Sequence, residues 1–342
     1  MMSSRNIGAD LLRIIASYCV VLIHTPAHGE ESVLKWLVLG ILPSANISFA
    51  LMAGFFMLRG FDHKFCRPGK GGMLFLYMPV REWLAGRMSR IVSPFVVWSL
   101  VYVALNIFFD TLRHQPQTFD LCRLDHWITI FLKGGGSTQL WFIPALFYSQ
   151  LLLAAVYAVF WRLKFSRVVL LSVLLTVGLI AMFGHRFLQE GHYLRSFVFV
   201  FGYVFLGAFL GGSGGLERWV RWGSILSIAG ILVYVGECLF IGNVTTGWKY
   251  FYPFCWLYWT CLRNFTWEVR LGRFVSDLGQ TAMGIYFVHM IPVTLFPFVC
   301  RLCGITVDFS LFPVVMAFVY CVLSWGIVKI LSRIQGTRII LV

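Results

Sequence analysis

Apolar runs of roughly 20 residues, long enough to cross a ~30 Å hydrocarbon core as a helix, recur along the whole chain. They fall near 8–27, 35–58, 89–109, 139–161, 167–184, 193–212, 222–241, 248–263, 281–300 and 309–331. The fifth is short and the eighth is rich in tryptophan, which makes these two the least regular. Polar residues gather in the gaps, and the longest hydrophilic stretch runs from Arg59 to Arg90. No tandem repeat, low-complexity tail or soluble domain interrupts the alternation. The pattern predicts an all-α, polytopic membrane bundle of about ten spans, forming a single membrane-embedded domain over 1–342.

Composition agrees. Hydrophobic residues make up 59% of the chain and charged residues 12%, against roughly 25% charged in a soluble domain. That is too few to build the shell a soluble core needs. The formal charge of +14 does not point to nucleic acid, because the basic residues sit between the apolar runs, where topology signals sit. The N-terminus and the segments 59–90, 162–167, 218–221, 263–273 and 329–338 hold 19 of the 28 lysines and arginines; the alternate segments hold 8, and Arg13 lies within the first run. The positive-inside rule then places both termini and the 59–90 loop in the cytoplasm. The first run sits where a signal peptide would, but Asp10 and Arg13 stand at its start and no small-residue cleavage site follows, so it is expected to stay as a span. Most of the nine cysteines lie in or beside apolar runs, where a thiol acts as a small hydrophobe. Cys300 and Cys303 form a C-x-x-C pair with no second ligand pair, so no metal is expected.

Ionisable groups inside spans cost roughly 2.5–3.5 kcal/mol each, so each calls for a reason. The first span carries Asp10, Arg13 and His24. Asp10 and Arg13 are spaced i, i+3 and can pair. Arg13 and His24 lie eleven residues apart, which on an α-helix leaves them within ~20° of one face and ~16 Å apart along the axis. Ser17 lies near that face. The competing readings are a snorkelling topology anchor for Arg13 and an interhelical hydrogen bond for His24. A second feature is Arg87-Met-Ser-Arg90 before Pro94, two guanidinium forks on one side of the third span's cytoplasmic entrance. They suit phosphate groups, or are an ordinary positive-inside cluster. A third is Tyr286 and His289 in the ninth span, with Pro292 and Pro297 expected to kink it. Glu237 lies late in the seventh span. Gly134-Gly-Gly-Ser-Thr138 lacks the strand and lysine of a P-loop and reads as a plain loop before Leu140-Trp141-Phe142.

Taken together these elements resemble membrane acyltransferase family 3, the bacterial acyltransferases of surface polysaccharides, in the short form without a fused periplasmic domain. Asp10-Leu-Leu-Arg13 followed by Val20-Val-Leu-Ile-His24 is similar to the family's arginine, ten residues, histidine pattern. Phe49 to Phe56 resembles its FFxxSGF element, with Ala53 in place of serine. Arg87 to Pro94 resembles its paired-arginine element. Leu140-Trp141-Phe142-Ile143 resembles its LWFL element, with Gln139 where histidine often stands, and Gly284 to His289 its GIYLxH element. The resemblance spans about residues 8 to 330.

It implies transfer of an acyl group, most often acetyl, from cytoplasmic acetyl-CoA to a sugar hydroxyl of an envelope glycan or its lipid-linked precursor, at the bacterial inner membrane. Acetyl-CoA is then the co-substrate, and membrane lipid surrounds the chain. His24 is the expected catalytic base, with Arg13 and Asp10 behind it. Arg87, Arg90, Trp141, Tyr286 and His289 are the expected substrate-binding residues. A histidine can act as general base or form an acyl intermediate, and the residue pattern does not choose. The other classes that kinked spans and buried charge suit are a transporter or flippase for a glycan or lipid-linked intermediate, and a biogenesis partner without chemistry.

Overall fold

The structure, a computed structural model, describes residues 6–27, 45–68, 74–76, 88–112, 119–137, 139–188, 193–212, 269–305 and 312–334, with single positions at 35, 38, 42, 86, 114, 116, 228, 232 and 257. It is helical almost throughout. The elements are α1 (Ile7–His24), α2 (Ala45–Phe65), the strands β1 (Cys66–Pro68) and β2 (Leu74–Leu76), α3 (Ser93–Leu112), α4 (Leu124–Lys133), α5 (Phe142–Arg162), α6 (Arg167–Gly184), α7 (Tyr193–Gly212), α8 (Val269–Val288), α9 (Met290–Leu302) and α10 (Pro313–Leu331). β1 and β2 pair antiparallel inside the hydrophilic 59–90 stretch, the one departure from all-α among the described residues.

Among the described residues six helices are long and apolar enough to cross a membrane: α1, Ser89–Leu112, α5, α6, α7 and α10. A seventh span is available if α8 and α9 are taken together across a 65° bend. The apolar part of α2, Asn46–Phe61, is shorter; of the expected run's first residues only 35, 38 and 42 are described, and 35 and 38 are helical. The expected spans 222–241 and 248–263, and Glu237 with them, lie outside the described residues.

Local sequence sets the helix ends. The Asn6 side chain caps α1 by accepting from the Ala9 N–H at 3.0 Å. At the other end Thr25 turns extended, with ψ 126°, as the residue before a proline does. A π-turn, Met88–Val92, leads into α3. Pro94 explains it: proline has no N–H for the Arg90 carbonyl and its ring crowds that group, so an α-turn cannot form there. The α8–α9 break has the same origin. Pro292 leaves the Val288 carbonyl without its donor and its ring pushes against it, and the helix breaks at His289.

The chain divides into two compact units, Met1–Phe49 with Gly214–Val342, and Ala50–Ser213. In the first, α1, α8 and α10 pack together. Asp10 meets Gly279, Ser17 donates to the Ala282 carbonyl at 3.2 Å, and the His24 ring meets the His289 ring, so α1 and α8 run parallel. The Tyr18 hydroxyl reaches the Val314 carbonyl on α10 at 3.0 Å. In the second unit α7 packs against α5 and α6. Its Gly207 and Gly211 face the Leu51 and Phe55 carbonyls of α2, while Gly54 of α2 faces the Val204 carbonyl, with no room for a Cβ at any of the three. Small residues that let backbones meet are how helices associate in lipid, where apolar burial gives no drive. The glycine of the Phe49–Phe56 element therefore has a packing role. Gly134 ends α4 at φ 73° and lies against the Trp141 backbone, so the glycine run is a tight loop that seats the start of α5.

Candidate active site

Three helix-turn levels along the α1–α8 seam carry the polar groups. At the first, Asp10 is fully buried and Arg13 donates to it at 2.6 Å, with the Arg13 side chain one-third exposed at 33%. Gly279 exists to admit this pair, since a side chain there would collide with Asp10. Ser17 forms the middle level. At the third, His24 and His289 lie with ring centroids 5.2 Å apart and planes tilted by 39°. His24 is half-buried at the last position of α1, whereas His289 is wholly buried.

His289 sits at the break between α8 and α9, which keeps it inside the bundle. Its Nδ1 lies 2.8 Å from the Tyr286 carbonyl oxygen. Its backbone N–H bonds the Ile285 carbonyl at 3.0 Å and its own carbonyl accepts from Val293 at 3.2 Å. The Nε2 atom, in contrast, is buried and without a hydrogen-bond partner among the described residues. Tyr286 is buried behind it, its ring 6.1 Å from that of His289 and edge-on to Phe49 at 6.2 Å.

Lys35 was not singled out by sequence, which counted it only as a loop charge. It is buried, and its Nζ donates to the Ile23 carbonyl at 3.0 Å and to the Thr25 carbonyl at 2.5 Å. A cation at a helix C-terminus satisfies orphan carbonyls and opposes the negative end of the dipole. Here it also clamps the two residues on either side of His24. No spacing rule joins Lys35 to His24, because the chain leaves the helix between them.

The structure therefore unites His24, His289 and Tyr286, and it aligns Asp10 and Arg13 at the far end of the same seam. Arg13 is not a neighbour of His24; eleven residues of helix, ~16 Å, separate them. Arg90 is exposed on the π-turn and Trp141 precedes α5, both in the second unit. The Trp141 ring stands edge-on to Phe142 at 6.0 Å. Arg87 lies outside the described residues.

Fold and site together define a multi-pass helical membrane protein with titratable side chains gathered inside its bundle. A family model described as an acyltransferase domain, that of acyltransferase family 3, matches residues 6–333, nearly the whole chain. The chain belongs to this family and is a membrane acyltransferase. Neither the curated proteins nor the solved structures yield a match to it.

Proposed function

We propose that this protein is an O-acyltransferase of the bacterial cytoplasmic membrane, moving an acetyl group from cytoplasmic acetyl-CoA to a sugar hydroxyl of an envelope glycan or its lipid-linked precursor. The observation that carries the reading is the histidine pair at the end of α1, in a chain of an acyltransferase family. His24 is the general base. Its free ring nitrogen takes the proton of the sugar hydroxyl as that oxygen attacks the thioester carbonyl. The C–S bond then breaks, and the departing thiolate receives the proton back from His24. A neutral imidazole has a bare ring nitrogen that can take a proton in the transition state and return it. Arg87 and Arg90 hold the donor's phosphates as bidentate forks, Trp141 and Tyr286 each bind substrate, and Asp10 with Arg13 secures the inner end of the α1 face.

The orientation follows from charge: both termini and the 59–90 loop inside, about ten spans, one acyltransferase domain over 1–342. The parallel run of α1 and α8 agrees with the span number, because two parallel spans need an odd number of crossings between them. Seven runs lie between the first and the ninth in the ten-span reading. Donor from inside and acceptor from outside then meet within the membrane.

His24→Ala should lower acyl transfer by roughly 10²-fold or more with expression unchanged and acetyl-CoA affinity retained, whereas Arg90→Gln should weaken acetyl-CoA binding. Glycan O-acetylation by the His24→Ala protein at near wild-type rate would refute the mechanism.

A further inference from the structure

We propose that His289 is the positioning residue for His24. Through Nε2 it accepts the ring N–H of His24, which leaves the other His24 nitrogen bare for the acceptor hydroxyl. The inference rests on the reading of His24 as general base and adds to it the group that sets that base's tautomer.

The argument begins with the Tyr286 carbonyl. A carbonyl oxygen only accepts, so the His289 Nδ1 lying 2.8 Å from it carries the hydrogen. In the neutral imidazole Nε2 is then an acceptor. That acceptor is wholly buried and unpartnered among the described residues, a costly state for which a partner is to be expected. Nδ1 faces the residue's own helix, so the Nε2 edge points away from it. The His24 ring lies beside it, with centroids 5.2 Å apart. Two imidazoles joined edge to edge by a hydrogen bond of ~2.9 Å have centroids roughly 5 Å apart. The spacing is right, and the 39° tilt is a side-chain rotation that half-buried His24 is free to make and His289 is not.

Among the described residues, Asp10 and Lys35 do not fill the role. Asp10, the buried carboxylate of α1, lies fourteen residues back, ~21 Å along the helix. Lys35 is a donor only and is engaged with the Ile23 and Thr25 carbonyls. A base needs a third group that holds it in one tautomer and orientation, and the buried imidazole on the α8–α9 break supplies it. Lys35 complements this by holding the backbone on either side of His24, so the ring turns about a fixed point.

The experiment uses the full chain in nanodiscs, with ¹⁵N-labelled histidine and the His24 signals assigned by difference from His24→Ala. In the wild type His24 should show a single neutral tautomer. His289→Leu should give a mixture of the two, with kcat for acetyl transfer lowered by about 10²-fold and KM for acetyl-CoA little changed. His289→Gln places a side-chain carbonyl near the Nε2 position; it should keep His24 in one tautomer and restore activity to within about tenfold of wild type. Should the leucine variant fail to fold, the glutamine variant and the wild-type spectrum carry the test. Mixed His24 tautomers in the wild type, or one unchanged tautomer in His289→Leu, would overturn the inference. If His24→Ala abolishes transfer while His289→Leu does not, only this inference fails; if neither matters, the general-base reading fails with it.

Discussion

Asp10 is fully buried while Arg13, bonded to it, keeps a third of its side chain in contact with solvent. That inequality decides which member of the pair is worse to orphan. Arg13→Leu leaves a buried carboxylate without its cation, and breaking a buried pair from one side costs on the order of 3 kcal/mol. Asp10→Asn leaves a guanidinium that can extend toward the membrane surface, and it keeps a hydrogen-bonding oxygen beside Gly279. We expect Arg13→Leu to lower the thermal midpoint in detergent clearly more than Asp10→Asn does. The opposite order would mean that Arg13 is held chiefly for topology. The spacing of Asp10 and Arg13 made this pair legible in sequence, and the pair formed. Its distance from the histidines was equally legible, at 1.5 Å per residue.

At the scale of elements, two prolines decide local geometry. Pro94 forces the π-turn that presents Arg90, and Pro292 breaks the ninth run at His289. A kink was expected there, and its place follows from the proline rule: the lost bond and the steric clash both fall on the carbonyl four residues earlier. Pro292→Ala restores a donor for the Val288 carbonyl and removes the clash, which lets α8 run on into α9 and draws His289 out of register with His24. The expected result is acyl transfer reduced by at least about tenfold, with a thermal midpoint equal to or above that of the wild type. Full activity in Pro292→Ala would show that the break does not position the site. The small-residue contacts of α7 with α2 belong to the same scale, and they give Gly54 a structural reason independent of chemistry.

For the whole molecule the testable quantity is topology. The 19 to 8 division of basic residues predicts residue 75 and the C-terminus on the cytoplasmic side. Reporter fusions at both points should read cytoplasmic, and an external reading at residue 75 would reverse the membrane orientation and with it the side from which the donor arrives. The described helices supply six spans, or seven with the bent pair; the expected runs at 222–241 and 248–263 fall outside them. Four of those six spans lie between α1 and α8, and the shorter α2 as a further crossing makes the odd number that the parallel run of α1 and α8 requires; the two expected runs, as a pair, do not change that parity.

Hydropathy and charge alone determined that this chain is a multi-pass helical membrane protein, because lipid admits few backbone solutions and each apolar run must form its own hydrogen bonds. Spacing within one helix put Asp10, Arg13, Ser17 and His24 on a common face, since α-helical geometry is local. The pairing of His24 with His289 across 265 residues of sequence was a matter for tertiary structure, and so were the Lys35 clamp and the need for glycine at 279. Each depends on α8 lying parallel to α1 in one register, and register between helices is set by where small and large side chains interlock, which no periodicity within a single run contains.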